Sequence, residues 1–325
     1  HTHRLTSGDD PQWIGWEYGG LTIDEFGNAT LSAVDSDGDT FSDSFSVSIS
    51  EDGLIGIDDE NNTHGVMSTD GQLVVTTEDE ELGGGYALNI AMKGGGASYA
   101  NADMAGTWYI HELIAGDAPQ TPGWMHGTMT IDSAGNFTIT DIVEPSGAQP
   151  DYSSAFSVDA VGVISEAGNP AFHGFLNASK DLAAFTDDTT GYLLGLAVRQ
   201  APAANYNQQD FIGTWHLHEL ISGDAPTDAP GWIYTTIVID ASGTITAYEA
   251  DSNGFADSGS EAFTLSVDAN GVVTDSGSPD LHGVMSADKT LMVITDNDSP
   301  PNSPILSIAV KQAGDTDFDG MEDGW

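Results

Sequence analysis

The sequence predicts an all-β protein built from three tandem antiparallel units of about eight strands each, and three observations carry the prediction. Trp16, Trp124 and Trp232 lie 108 residues apart, and His64, His173 and His282, each followed by glycine, lie 109 apart. A fixed long period of this kind marks repeated structural units. Within a unit, short alternating runs such as Thr128–Ile131 and Phe137–Thr140 are separated by Asp-x-x-Gly. There the aspartate caps a turn and the glycine supplies its positive-φ position. No segment carries a capped 3.6-residue period, so helices are not expected.

The elements follow in order. Unit 1 spans residues 1–95, unit 2 residues 96–200 and unit 3 residues 201–312, and an acidic tail covers 313–325. Units 2 and 3 open on Gly106-Thr107-Trp108 and Gly213-Thr214-Trp215, run through three hairpins, and close on "LGLAVR" or "LSIAVK". Unit 1 closes on "LNIAMK" but begins at His1, inside its opening strand, which predicts an N-terminally truncated unit or a strand lent by a neighbour. Eight antiparallel strands in about 100 residues suit a small up-and-down barrel, whose closure leaves no edges. The Gly-Thr-Trp opening resembles that of lipocalin- and avidin-type barrels, and the resemblance implies a tryptophan plugging each barrel. A six-bladed propeller or a two-sheet sandwich per unit are the alternatives. The propeller is disfavoured because the two halves of a unit differ. The linkers "GGGASYANADMA" and "APAANYNQQDFI" share Tyr99/Tyr206 and Asp103/Asp210, which predicts regular docking in a semi-rigid row.

Composition narrows the function. There are 51 acidic residues against 6 lysines and arginines, for a net charge of −45. Such a chain repels nucleic acid and anionic membranes and attracts cations, Ca²⁺ above all. The same charge also serves as a solubility coat. The absence of cysteine excludes disulfides, thiolate zinc sites, iron–sulfur clusters and covalently attached haem. No apolar run is long enough for a membrane helix. Phosphate-cradling loops, and with them a nucleotide cofactor, are missing, as is a serine elbow. The "HEL" at His111 and His218 is no zincin motif, because Ala115 and Ser222 stand where the second histidine belongs.

Five residue sets are candidates for chemistry or for contacts. In the tail "DTDFDGMEDGW", Asp315, Asp317 and Asp319 alternate, Gly320 follows, and Asp323 stands four residues after Asp319. Oxygen ligands at every second position curl around a hard cation, and glycine permits the turn. The stretch resembles thrombospondin type 3 and EF-hand-like calcium loops, and the resemblance implies Ca²⁺ on those four carboxylates. A second acidic loop, "DSDGDTFSD", offers Asp35, Asp37, Asp39 and Asp43, with an ordinary polar turn as the stronger reading. Each unit also carries two histidines, His3 and His64, His111 and His173, His218 and His282. Paired across a barrel these would offer two imidazoles to zinc or copper, and packing is the favoured alternative. Trp16, Trp124 and Trp232 serve either as barrel plugs or as stacking surfaces for a ligand or glycan. Finally, Lys93, Arg199 and Lys311 occupy one equivalent position, where pairing with Glu112 or Glu219 is expected in units 2 and 3.

The repeats resemble uncharacterised repeats of large secreted bacterial proteins. The sequence therefore reads as a segment of an extracellular or cell-surface, calcium-binding structural or adhesive protein, not an enzyme. Its expected partners are neighbouring copies of itself or other matrix components in a stalk or filament. Tandem ligand- or glycan-binding barrels, or accessory domains of a larger secreted enzyme, are the alternatives.

Overall fold

The computed structural model describes residues 1–8, 14–57, 62–79, 85–96, 98–116, 122–189, 191–201, 204–223, 230–241, 244–252, 256–262, 264–297 and 303–312. The calcium-loop-like tail, with Asp315, Asp317, Asp319 and Asp323, lies outside the described residues.

Each unit folds on its own sheet, and consecutive strands are antiparallel neighbours. The first strand (Thr2–Gly8, Gly106–Ala115, Gly213–Ile221) pairs on one side with the second (Gly15–Ile23, Gly123–Ile131, Gly231–Ile239). On its other side it pairs with the last (Gly85–Met92, Tyr192–Arg199, Pro304–Lys311). In units 1 and 2 this joins the up-and-down order into a closed barrel, with an extra two-residue strand, Gly147–Ala148, in unit 2. Unit 3 differs. Its fourth strand is broken into Ala256–Ala262, paired with Thr244–Asp251, and Leu265–Val267, paired with Val272–Asp275. Those two segments are the ends of the third sheet, which stays open where the first two close. No sheet mixes strands from different units, which sets aside the propeller.

The turns form for the reason the sequence suggests. Asp132 Oδ1 accepts from the amides of Ala134 and Asn136, at 2.8 and 2.9 Å, and Asp24 repeats the pattern with Phe26 and Asn28. Gly135 sits at φ 94°, and a Cβ there would collide with the Phe156 carbonyl of the next hairpin. Glycine is required on both counts.

The repeated linkers close barrel floors instead of spacing units in a row. After each linker a short 3₁₀ turn (Asn101–Asp103, Gln208–Phe211) leads into Gly-Thr-Trp. The indole of Trp108 donates to Met104 O at 2.8 Å, and that of Trp215 to Phe211 O at 2.7 Å. Both tryptophans are fully buried among the lumen side chains of their units, so they are the plugs. Arg199 lies over the Trp108 ring at 4.5 Å and donates to Ala105 O, Asp103 O and Lys180 O. Lys311 lies over Trp215 at 5.1 Å and donates to Asp210 O. The pairing expected with Glu112 or Glu219 is therefore corrected: the cation caps the plug from below, where carbonyls and an indole face receive it. Lys93, in the unit without a Gly-Thr-Trp plug, is exposed.

The three units do not stand in a row. The first two strands of unit 1 pack on the last two of unit 2, the first two of unit 2 on the last two of unit 3, and the first two of unit 3 on the last two of unit 1. The contacts close a triangle. At its centre one apolar cluster draws equivalent residues from all units, among them Leu5, Leu113 and Leu220, and Ile90, Leu196 and Ile308. These side chains point out of their own barrels and would be exposed on an isolated unit. Burying an aliphatic side chain of this size stabilises by about 1.5–3 kcal/mol. The triangle therefore draws stability from between its units as well as from within them.

Candidate functional site: unit junctions and barrel lumens

The histidines predicted to pair across a barrel pair across the junctions instead. Each junction receives a histidine, a tryptophan and a further aromatic residue from the first two strands of one unit. The facing unit supplies the His-Gly histidine and a threonine. Between units 3 and 1, His218 Nδ1 lies 3.1 Å from Thr77 Oγ1, and Trp232 Nε1 donates to Asp79 Oδ1 at 2.6 Å. His64 stacks on Tyr234 at 4.9 Å. Between units 2 and 3, His111 Nδ1 lies 3.1 Å from Thr295 Oγ1, and Trp124 Nε1 donates to Asn297 Oδ1 at 2.8 Å. His282 there stacks on His126 at 3.7 Å. Between units 1 and 2, His173 stacks on Tyr18 at 3.8 Å, but His3 Nδ1, Trp16 Nε1 and Thr186 Oγ1 are buried without hydrogen-bond partners among the described residues.

Burial fixes the charge of these rings. It pushes His3 and His218 down to about 3 and His111 well below the ordinary imidazole range, with neighbouring histidines adding repulsion. His126 is held at about 3 and His282 at about 4 for the same reason, and His64 and His173 are lowered. The Nε2 atoms of His111 and His218 are buried without partners among the described residues, so protonation would bury an unpaired charge as well. The rings are neutral, and they pack. No group of three or more metal-ligating side chains among the described residues is placed to hold an ion. Trp16, Trp124 and Trp232 are 4 %, 4 % and 3 % exposed. Covered by the facing unit, they offer no stacking face to a glycan.

The acidic loop of unit 1 is a turn. Asp35 Oδ1 accepts from the amides of Asp37 and Asp39, at 3.0 and 2.8 Å, and Asp43 accepts from the Ser44 amide.

The lumens differ where the junctions repeat. Strand register makes Arg4, Glu112 and Glu219 equivalent, each facing inward opposite Asn89, Gly195 and Ser307 respectively. In unit 1, Arg4 pairs with Glu78 at 2.7 Å, and Asn89 donates to Glu78 and Thr76. Unit 2 places Glu112 where Arg4 stands and Asp187 where Glu78 stands. Burial, with Asp187, Glu144 and Glu166 nearby, pushes Glu112 up to about 8. Its lumen is filled by Phe137, Phe156, Phe172 and Phe185, with successive ring centroids 4.1, 5.3 and 5.2 Å apart. A Cβ at Gly195 would collide with the Phe185 ring. Unit 3 carries Ile245, Leu265, Leu281 and Ile294 at those four positions, and a cavity of about 150 Å³ opens among them. With Ile294 in place of phenylalanine, Ser307 fits where glycine stood, and its hydroxyl donates to Glu219 at 2.6 Å.

Sequence reasoning missed three of these features. His126 had no histidine counterpart, yet it occupies the register of Tyr18 and Tyr234, two residues after each tryptophan. The Arg4–Glu78 pair and the four-residue lumen set become visible only when the units are aligned position by position.

No family model matches the sequence, and no curated protein is similar to it. Among solved structures, a protein of unknown function from Nostoc punctiforme is 10 % identical with a TM-score of 0.25, covering 66 % of this chain and 99 % of that one. Transferrin binding protein B of Neisseria meningitidis is 9 % identical with a TM-score of 0.25, covering 92 % of this chain and 66 % of that one. The same protein from Haemophilus parasuis is 8 % identical with a TM-score of 0.21, covering 92 % and 65 %. Likenesses of this size carry no argument about function, and the reading rests on the chain's own residues.

Proposed function

We propose that this chain is a rigid, strongly acidic structural or adhesive module of a secreted or cell-surface protein, non-catalytic and tuned by Ca²⁺. One observation carries the reading. The residues that repeat in all three units, the two histidines and the tryptophan, go into joining units, whereas the lumens differ in content. Repetition selected for joining supports a role in which shape and stiffness matter. The net charge of −45 supports a calcium response, since a divalent cation relieves self-repulsion and the tail supplies three alternating aspartates and a fourth, Asp323, after the glycine turn. Calorimetry and small-angle scattering with and without millimolar Ca²⁺ test both parts. The reading expects one cooperative transition, a compact particle, and a higher melting temperature with Ca²⁺. Three separate transitions would remove the rigid-body part, and indifference to Ca²⁺ the calcium part.

A further inference from the structure

We propose that the C-terminal tail of this chain turns under unit 1 and seats Trp325 in its open barrel floor, as the two linkers do for units 2 and 3. Such a closure goes beyond the structural role above and is separate from its calcium part, because apolar burial drives it. The floors tell the units apart. Ile131 and Ile239 are each 3 % exposed. They pack with the floor residues Tyr99, Met104 and Trp108 in unit 2, and Tyr206, Phe211 and Trp215 in unit 3. Their counterpart by register in unit 1, Ile23, is 46 % exposed. Ile49 is 48 % exposed, although its counterparts Val158 and Val267 pack on those same floor clusters. Lys93 stands where Arg199 and Lys311 cover an indole, and it is exposed. Unit 1 keeps the seat and the cation.

Position and pattern both make the tail a third linker. One linker runs from unit 1 to the floor of unit 2, the next from unit 2 to the floor of unit 3, and the tail leaves unit 3, which packs on unit 1. It departs beside the open floor, because Gln312 Nε2 donates at 3.1 Å to Asp52 Oδ1, three residues after Ile49. Trp108 follows Lys93 by 15 residues, Trp215 follows Arg199 by 16, and Trp325 follows Lys311 by 14. The two plug indoles donate to the carbonyls four residues earlier, those of Met104 and Phe211, and Met321 stands four before Trp325. Gly324 precedes Trp325 by one residue where Gly106 and Gly213 precede theirs by two, so the last step of the approach differs. A further contact is missing from both sides at once. In units 2 and 3 a lysine at positive φ, Lys180 or Lys289, pairs at 2.9 Å with the linker aspartate five residues before the plug, Asp103 or Asp210. Unit 1 has Gly71 at that turn position, and five residues before Trp325 stands Gly320. Floor and tail match in what they lack as well as in what they share.

Hydrogen exchange on the full chain in EDTA, set against Trp325→Ala and Trp325→Phe, tests the closure without involving calcium. Trp325→Ala should raise exchange by about tenfold or more at residues 21–23 and 47–49, some 300 residues away in the chain. The corresponding residues 129–131 and 237–239 should not change. Trp325→Phe should restore most of the protection, because an aromatic ring again fills the floor. Lys93→Gln should raise exchange at the same places by a smaller factor, since it removes the cation over the ring but not the ring. Sedimentation should find a monomer at every concentration, with the tail seated in its own chain. Exchange in unit 1 that ignores Trp325→Ala would overturn the proposal, as would a rise shared equally by all three units. A dimer that Trp325→Ala dissolves would overturn it too, by placing the tail under a second copy.

Discussion

His218 and Thr77, 141 residues apart in the chain, face each other across the junction of units 3 and 1 with Nδ1 and Oγ1 3.1 Å apart. Both residues are fully buried. The same contact recurs between His111 and Thr295, whereas His3 and Thr186 occupy the equivalent places without it. A contact made twice and omitted once gives an internal control. Thr77→Val should cost about 1–3 kcal/mol, because it strands a buried ring nitrogen. Thr186→Val removes a hydroxyl without a hydrogen-bond partner and should be neutral or slightly stabilising. Denaturant unfolding of the two variants checks the pair, and equal losses would contradict the junction geometry.

Trp232 covers the same junction and donates to Asp79. Trp232→Ala should cost about 3–5 kcal/mol, the range for deleting a buried aromatic side chain. The loss should be felt on both sides of the interface. Hydrogen exchange should rise in Gly231–Ile239 and also in Leu73–Asp79 of the neighbouring unit. Exchange confined to unit 3 would mean that the barrels are independent.

The neutral histidines give stability a pH dependence with a fixed sign. A ring whose folded pKa is lowered binds fewer protons folded than unfolded. Its contribution is therefore complete above the unfolded value of 6.5 and is lost as pH falls towards the folded value. For His3, His126 and His218 that window runs from 6.5 down to about 3, and for His282 to about 4. Each ring withdraws about 1.4 kcal/mol per pH unit crossed. Melting temperature in high salt should fall steeply from pH 6.5 to 4.

Glu112 acts in the opposite direction. Its folded pKa is raised to about 8 from 4.5, so its favourable contribution is complete below 4.5 and is lost as pH rises towards 8. Between 4.5 and 6.5 the histidines outnumber it, and stability climbs with pH. Above 6.5 they fall silent, and Glu112 should produce a shallow decline towards pH 8. Glu112→Gln should abolish that decline, gaining on the order of a few kcal/mol at pH 8 relative to the parent. A thermal-melt series from pH 6 to 8.5 on the two proteins reads the difference directly.

Much of the fold is written in the sequence, and particular residues show where that ends. Asp132 and Gly135 announce a turn because their chemistry is local: a carboxylate reaching amides two and four residues on, and a backbone conformation that glycine alone adopts freely. The 108-residue spacing of the tryptophans likewise gives the number of units without reference to contacts. The histidines and tryptophans could be picked out as the repeated residues of interest, but their partners could not. In Tyr192–Arg199 nearly every residue is buried, on both faces of the strand. Alternation therefore does not say which face enters the lumen and which meets another unit.

The sequence by itself determined the strands, their turns, the threefold repetition and the charge, because each depends on neighbours a few residues away or on a count. Only the tertiary structure decided that the units close into a triangle and that the histidines meet at its seams. It also decided that the interior of unit 3 holds a cavity where four phenylalanines fill that of unit 2. Those outcomes depend on which apolar surfaces meet across more than a hundred residues of chain, and on the volume left between side chains from six or more strands. Neither quantity is encoded at any single position.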